Sequence, residues 1–127
     1  MIKSNELRIG NICLRKNKHT EIETIHEFTA SCILDISSNG INSSFIYEPI
    51  PLTEEILLKC GFKKSNDLDN FYHLEVLNQW TRIYFNPKHK VCALSVHHHE
   101  IMIKIQYLHQ LQNLIFSLTQ KELTIQL

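Results

Sequence analysis

This chain lacks the local motifs that most often bind phosphates or metals. Its 127 residues include only three glycines, and no two of them are adjacent. A phosphate-binding loop needs closely spaced glycines, because backbone N–H groups must approach the phosphate. The cysteines are far apart and form no Cys-x-x-Cys pair of the kind that indicates a zinc site or a dithiol motif; they are Cys13, Cys32, Cys60 and Cys92.

Net charge is also absent, since thirteen basic side chains balance thirteen acidic ones. This balance argues against a global electrostatic attraction to nucleic acid or to an anionic membrane. The charges are nevertheless segregated along the chain. Residues 1–20 are mainly basic, whereas residues 21–58 contain acidic side chains and no Lys or Arg.

No apolar run approaches the ~20 residues that cross a bilayer, and the N-terminus has no apolar stretch of the kind that directs secretion. We therefore expect no membrane partner and a cytoplasmic location. The separated cysteines fit a reducing compartment, where free Cys acts as a small buried hydrophobe. A hydrophobic content of 43% in 127 residues predicts one domain over residues 1–127.

Alternating apolar residues predict several short strands in the first part of the chain. We expect one strand from Leu7 with a bulge at Gly10 and Asn11, and further strands over 21–28, 32–36 and 41–47. Short strands in such close succession predict a small curled β-meander or barrel.

The middle of the chain predicts a short helix followed by further antiparallel strands. Thr53 is positioned as the N-cap of this helix, and Gly61 as its C-terminal stop. Strands are predicted over 61–64, 70–77, 80–86 and from Val91 onward. The apolar positions change parity between 92–96 and 101–105, so a turn or bulge is expected within 97–100.

The C-terminal part predicts one longer amphipathic helix within 105–119, because its apolar residues recur at helical spacing. Amides rather than charges occupy its other face. We expect Gln112 and Asn113 to bond the backbone of an adjacent strand or a partner's polar groups. Residues 123–127 predict a final short strand. The fold class expected from all these elements is α+β.

The candidate catalytic and metal-binding residues lack partners in the sequence. His97, His98 and His99 have no nearby spacing that completes a zinc site, and a solvated turn is the simpler interpretation. His109 has no acidic residue close by and no Ser or Cys nucleophile except Ser117. We therefore expect a protein that is not an enzyme, with no catalytic residue, no metal and no cofactor.

The basic N-terminal segment is the candidate binding site. Arg15, Lys16 and Lys18 are predicted to lie in an exposed hairpin loop, with Arg8 upstream, where they would contact a charged partner or a phosphate. A solvated loop without a ligand is the competing interpretation. Aromatic residues in the later strands provide candidate stacking platforms for bases; they are Tyr72, Trp80, Tyr84 and Phe85.

Three segments resemble a small uncharacterised protein family of phages and prophages of Bacteroidetes: Asn5 to Asn11, Pro51 to Phe62, and His109 to Leu123. The resemblance implies a phage accessory protein located in the bacterial host cytoplasm. We expect it to bind and inhibit a host antiviral-defence component, with a CRISPR effector ribonucleoprotein as the specific candidate. One alternative is a sponge that sequesters a nucleotide immune signal. Another is a small β-barrel protein that binds RNA or DNA.

Overall fold

The computed structural model of the chain describes Ile2 and residues 6–126, with only the backbone at Ile41. Within these residues the helices are α1 (Ala30–Asn39), α2 (Glu54–Lys59) and α3 (Leu108–Thr119). The strands are β1 (Ile12–Asn17), β2 (Glu23–Glu27), β3 (Phe45–Glu48), β4 (Lys63–Lys64), β5 (Tyr72–Glu75), β6 (Thr81–Asn86), β7 (Val91–Val96) and β8 (His99–Ile103). The predicted α+β class is confirmed.

The strands form two antiparallel sheets, with the orders β2-β1-β3 and β4-β5-β6-β7-β8. The chain divides into two compact units, and each sheet lies in one of them. Unit 1 contains Met1–Ile50 and Tyr107–Asn113, and unit 2 contains Pro51–Gln106 and Leu114–Leu127. The expectation of a single domain over residues 1–127 stays a prediction. None of the helices described here has the length and apolar content needed to cross a membrane.

In unit 1 the central strand β1 pairs with both β2 and β3. The rings of Phe28 and Tyr47 meet edge to face, with their centroids 4.9 Å apart, a favourable aromatic geometry. They belong to a buried cluster that also holds Ile2, Cys13 and Cys32. The small N-terminal sheet expected from the sequence therefore exists, with three strands.

The strand predicted over 32–36 is wrong, because this segment is part of helix α1. Cys32, Ile33 and Ile36 face the buried cluster, and this spacing is helical. Leu34, which the alternating pattern placed on the same face as Cys32, is 64% exposed. Short apolar runs fit both periodicities, so the pattern alone could not separate a strand from a helix here.

The strand predicted from Leu7 is also wrong, because β1 begins only at Ile12. The preceding residues form a turn in which the side-chain oxygen of Asn11 accepts a hydrogen bond from the Arg8 N–H at 2.7 Å. Gly10, at φ 97°, adopts a left-handed conformation that disfavours other residues. Its N–H donates to the carbonyl of Phe28 at 2.9 Å.

The short central helix is confirmed as α2. The Thr53 hydroxyl accepts a hydrogen bond from the Ile56 N–H at 3.3 Å, as expected of an N-cap. Glu54 and Glu55 occupy its first turn, where acidic side chains interact favourably with the helix dipole. Gly61, at φ 89°, follows the end of the helix and has the conformation typical of a C-terminal stop.

In unit 2 the predicted strands are present as β4 to β7, and β8 completes the sheet. Ile83 and Phe85 of β6 point to the buried face, while Arg82 of the same strand lies partly exposed beside Glu75, at 3.2 Å. The strand predicted over 123–127 is wrong for residues 123–126, and Leu127 lies outside the described residues. Instead, the Gln126 N–H donates to the Lys59 carbonyl at 3.2 Å.

The predicted C-terminal helix is confirmed as α3, and its amides bond the backbone as expected. The side-chain oxygen of Gln112 accepts a hydrogen bond from the Ile12 N–H at 2.8 Å, and its side-chain nitrogen donates to the Gly10 carbonyl at 3.2 Å. Asn113 accepts from the side chain of Asn11 at 2.8 Å. These bonds satisfy polar groups where the chain enters β1.

Candidate functional site

Arg8, one of the four residues predicted to bind a charged partner, takes part in the packing of unit 1. Its Nε donates to the side-chain oxygen of Asn113 at 3.2 Å, and its Nη1 donates to the carbonyl of Ile9 at 3.2 Å. The side chain is half-buried. Its guanidinium therefore has a structural role in holding residues 8–11 against α3.

The other three predicted residues do not form one basic cluster in a loop. Arg15 and Lys16 lie within β1, and only Lys18 follows the strand. Adjacent side chains on a strand point to opposite faces, so Arg15 and Lys16 are separated. The loop placement was wrong because β1 continues to Asn17, which pairs with Phe45 of β3.

Arg15 lines an open cleft of about 370 Å³ in unit 1. Its guanidinium carbon lies 4.4 Å from the ring centroid of Phe45, a favourable cation–π distance. Its Nη1 is 3.4 Å from Nε2 of His26. Within the described part of the chain, no carboxylate forms an ion pair with Arg15. The remaining lining is mostly polar and includes Ser31, Cys32, Asp35, Asn39, Ser43 and Tyr47.

The carboxylate of Asp35 in this cleft is bonded to its neighbours. It accepts hydrogen bonds from the Ser43 hydroxyl and from the side-chain amide of Asn39, the latter at 2.7 Å. The Ser43 bond first, and the Asn39 bond second, lower the pKa of this carboxyl below its ordinary value. Arg15 is therefore the cation of the cleft that has no carboxylate partner among the described residues.

The turn expected within 97–100 is confirmed, and it connects β7 to β8. Val96 pairs with His99, and the two residues between them have positive φ, 48° at His97 and 67° at His98. This is the backbone geometry of a type I′ hairpin turn. The ring of Trp80 stacks on that of His97, with centroids 6.1 Å apart and an interplanar angle of 16°.

The histidines of this turn are not joined by other metal ligands. Across the residues that the structure describes, no group of three or more His, Cys, Asp or Glu side chains is placed to hold a metal ion. His97 and His98 instead contact the exposed ring of Trp80, which meets His98 edge to face at 5.9 Å.

Strand β8 exposes large apolar side chains at the end of the five-stranded sheet. Met102 is 66% exposed and Ile101 is 60% exposed. The sequence placed Ile101 on the inward face together with Ile103, and that expectation of burial is wrong. The predicted sheet face of Ile101 is correct, because this residue pairs with Leu94 of β7. However, β8 is the last strand of the sheet, and no described strand pairs with its outer edge.

The backbone of β8 also has polar groups on its outer edge. In a hairpin closed at Val96 and His99, alternate residues of the second strand direct their N–H and C=O groups away from the first. Those residues are Glu100 and Met102, by the pairing of β7 with β8. We call Trp80, His97, His98 and residues 99–103 the β8 surface.

The other sheet edges in the described chain are protected. Strand β2 has Glu23 and Glu27 beside its exposed apolar side chains, and β4 consists of Lys63 and Lys64 alone. At β3, the carbonyl of Tyr47 accepts from the Ile2 N–H at 3.0 Å. Charge, shortness and coverage are the devices that prevent an edge from pairing with another chain. The edge of β8 has a single acidic residue, Glu100, and no proline.

Comparisons of this chain with protein-family models, with curated proteins and with solved structures found no match. We take the β8 surface and the Arg15 cleft as the candidate functional sites. Sequence reasoning missed the first, although the run Ile101–Ile103 contains no charge and no proline, which is the signal of an unprotected edge.

Proposed function

We propose that this chain is a non-enzymatic protein that binds and inhibits a host protein of antiviral defence, with the β8 surface as its docking surface. The observation that supports docking is the unprotected edge of β8, where Ile101 and Met102 are exposed. The resemblance of three sequence segments to phage and prophage proteins supports the class of partner. A CRISPR effector ribonucleoprotein is the specific candidate.

The proposed occupant of the β8 edge is a strand of the partner protein. Such a strand pairs with the outward N–H and C=O groups of Glu100 and Met102, and these main-chain bonds give affinity. Ile101 and Met102 lie on opposite faces of β8, so neighbouring side chains of the partner cover one of them on each face. Trp80 extends the apolar area at the turn, and aromatic residues of this kind are frequent hot spots.

The basic segment is not proposed as the docking site. Arg8 donates a hydrogen bond to Asn113. Arg15 instead contacts the ring of Phe45, and Arg8 is not among the residues that line its cleft. A phosphate-binding cluster needs several cations directed at one place. For this reason the nucleotide sponge and the RNA- or DNA-binding protein stay alternative predictions, because the described residues of the basic segment form no such cluster.

The experiment compares capture of host proteins by variants of the tagged full chain. Burying an apolar side chain of this size contributes about 1.5–3 kcal/mol, so the change of Met102 to Lys should weaken binding by ~10- to 100-fold. The matched control is Ile25→Lys on the edge of β2, because Ile25 is also more than half exposed. Lysates are tested with and without nuclease, and captured proteins are identified by mass spectrometry.

The proposal is supported if wild type and Ile25→Lys capture the same defence protein equally and Met102→Lys fails to capture it. The purified wild-type chain must also inhibit that defence protein in an assay of the defence protein's activity. For a CRISPR effector, that assay is guide-directed target cleavage. Equal capture by all three chains would reject the β8 surface as the docking site. A captured protein whose activity the chain leaves unchanged would reject the inhibitory function.

Backbone pairing is tested separately with Met102→Pro and Met102→Ala. Because the Met102 N–H points away from β7, proline at this position removes a bond to the partner without removing one from the hairpin. We expect Met102→Pro to bind more weakly than Met102→Ala while unfolding at a similar urea concentration. Equal affinities would indicate docking through side chains alone.

A further inference from the structure

The sulphur of Cys32 lies among polar groups beside the Arg15 cleft. It is 3.1 Å from Nε2 of His26 and 3.2 Å from the hydroxyl of Thr29. Tyr47 lines the same cleft. Cys32 lies in the first turn of α1 and contributes to the lining of the cleft. Cys32 also belongs to the buried apolar cluster of unit 1, so its sulphur lies where this cluster meets the polar cleft, whereas a cysteine with only a packing role has mainly apolar neighbours.

The other cysteines have the environment expected of inert thiols. All of them are free and buried. Burial raises the pKa of Cys13 to about 12, and the charge of nearby Cys32 adds to this effect. Burial alone raises the pKa of Cys60 and of Cys92 to about 11. Thiols with such pKa values remain protonated and unreactive near neutral pH.

The pKa of Cys32 is shifted in the opposite direction. Burial acts to raise the pKa of this thiol, but hydrogen bonds from Thr29 and Tyr47 and the charge of Arg15 outweigh burial and lower the pKa below its ordinary value. Donors directed at one sulphur, together with a nearby guanidinium, stabilise the thiolate. The thiolate is the nucleophilic form of cysteine.

His26 is placed to receive the thiol proton. Its Nε2 faces Nη1 of Arg15 at 3.4 Å as well as the sulphur of Cys32. Because a guanidinium only donates hydrogen bonds, this contact fits the tautomer in which Nε2 is unprotonated. Burial first, and the charge of Arg15 second, lower the pKa of His26, with Glu27 acting in the opposite direction. A neutral imidazole within reach of a thiol is the usual arrangement of an activated cysteine.

We propose that Cys32 is a nucleophilic thiol, that His26 accepts its proton, and that Arg15 attracts small anionic electrophiles into the cleft. The cysteine sulphur forms a bond to an electrophilic carbon, and the bond from that carbon to its leaving group breaks, with the electron pair departing on the leaving group. The thiol proton passes to Nε2 of His26 and then to water. The product is an S-alkylated Cys32.

The charge of the electrophile follows from the lining of the cleft. Arg15 has no carboxylate partner among the described residues, whereas the carboxylate of Asp35 is bonded to Asn39 and Ser43. A carboxylate on the incoming molecule therefore finds an available guanidinium, which binds carboxylates in planar geometry. This site does not depend on the proposed docking function of β8.

The experiment measures alkylation of the folded full chain near neutral pH by iodoacetate, which is anionic, and by iodoacetamide, which is neutral and similar in size. Peptide mapping gives the rate at each of the four cysteines. We expect Cys32 to react at least about tenfold faster than the other three, which serve as internal controls. We also expect the ratio of the iodoacetate rate to the iodoacetamide rate to be higher at Cys32 in the folded chain than in the chain unfolded in urea.

Two variants assign the roles. Arg15→Gln should lower the iodoacetate to iodoacetamide ratio toward that of the unfolded chain, while Lys16→Gln, which removes the same charge from the other face of β1, should leave it unchanged. His26→Gln should slow both reagents by about a hundredfold, the low end of general-base effects, without changing their ratio. Circular dichroism verifies that each variant is folded.

The proposal is overturned if Cys32 of the wild type reacts no faster than Cys13, Cys60 and Cys92. It is equally overturned if the wild-type ratio of the two reagents is the same in the folded and the unfolded chain. These two comparisons need no substitution, so they decide the proposal even where a variant does not fold. An unchanged ratio in folded Arg15→Gln would remove Arg15 from the site.

Discussion

Replacing Gln112 by Met tests whether one buried amide holds the entry of β1 in place. Gln112 is 2% exposed, and its side chain bonds the Ile12 N–H at 2.8 Å and the Gly10 carbonyl at 3.2 Å. Methionine has a similar length and shape but forms neither bond. The substitution therefore leaves one backbone donor and one backbone acceptor without these partners while changing the packing little.

The magnitude follows from these two groups. A buried polar group that loses its partner costs about 1–3 kcal/mol. Ile12 and Gly10 are only half-buried, so we take the lower part of this range for each and expect the free energy of unfolding to fall by about 2–4 kcal/mol. This is a large share of the ~5–15 kcal/mol that stabilises an ordinary domain.

The assay is urea unfolding at neutral pH, followed by far-ultraviolet circular dichroism. With a slope of about 2 kcal/mol per molar urea, the middle of the range for small proteins, the transition midpoint should fall by roughly 1–2 M. The control is Ser117→Ala, an exposed position on the same helix, where we expect a change within ~0.5 kcal/mol. A midpoint for Gln112→Met within the error of this control would refute the reasoning, because it would mean that water satisfies both backbone groups at no cost.

Two further substitutions test a buried histidine and a strained turn. Burial lowers the pKa of His109, with Glu6 acting in the opposite direction, so its neutral form is favoured in the folded state. The unfolded chain then binds a proton that the folded chain resists as the pH falls through about 6.5. Stability should therefore be complete above about pH 6.5 and should decrease below it. The urea midpoint should fall less between pH 7.5 and pH 5.5 in His109→Leu than in wild type, and an equal fall in both chains would contradict this reasoning. His26 and His73, whose pKa values are also lowered, contribute in both chains. His98 has φ 67°, a left-handed conformation that costs an ordinary residue about 1–2 kcal/mol. His98→Gly should therefore raise the melting temperature, and His98→Val should lower it. A lower melting temperature for His98→Gly than for His98→Val would show that the contact with Trp80 outweighs the strain.

Sequence reasoning was most successful where the signal is local. Thr53 and Gly61 bracket α2 because a cap and a stop act on the residues next to them. The turn at His97 and His98 followed from a change of parity that no uninterrupted strand accommodates. Each of these features depends on a few neighbouring residues, so the rest of the fold is not needed to find it.

The candidate sites were harder to predict, because they depend on where elements end and on what covers them. The pattern of Ile101 and Ile103 correctly gave the face of β8, but only the sheet order shows that this strand is last and that Ile101 is exposed. His26 and Cys32 are six residues apart in sequence. Their contact arises because the chain leaves β2 and turns into α1, whereas sequence reasoning had continued this segment as a strand.

Each of the two sites departs from a rule that favours stability or solubility. An exposed sheet edge is normally protected by charge or coverage, and a buried cysteine normally packs against apolar groups. Such departures are expected where residues serve a function. The two functions are separable, because Met102→Lys should leave alkylation of Cys32 unchanged and His26→Gln should leave docking unchanged. If alkylation of Cys32 in the wild type instead weakened capture of the partner, modification of this thiol would regulate docking. Such an effect would mean that a coupling free energy links Cys32 to the β8 surface.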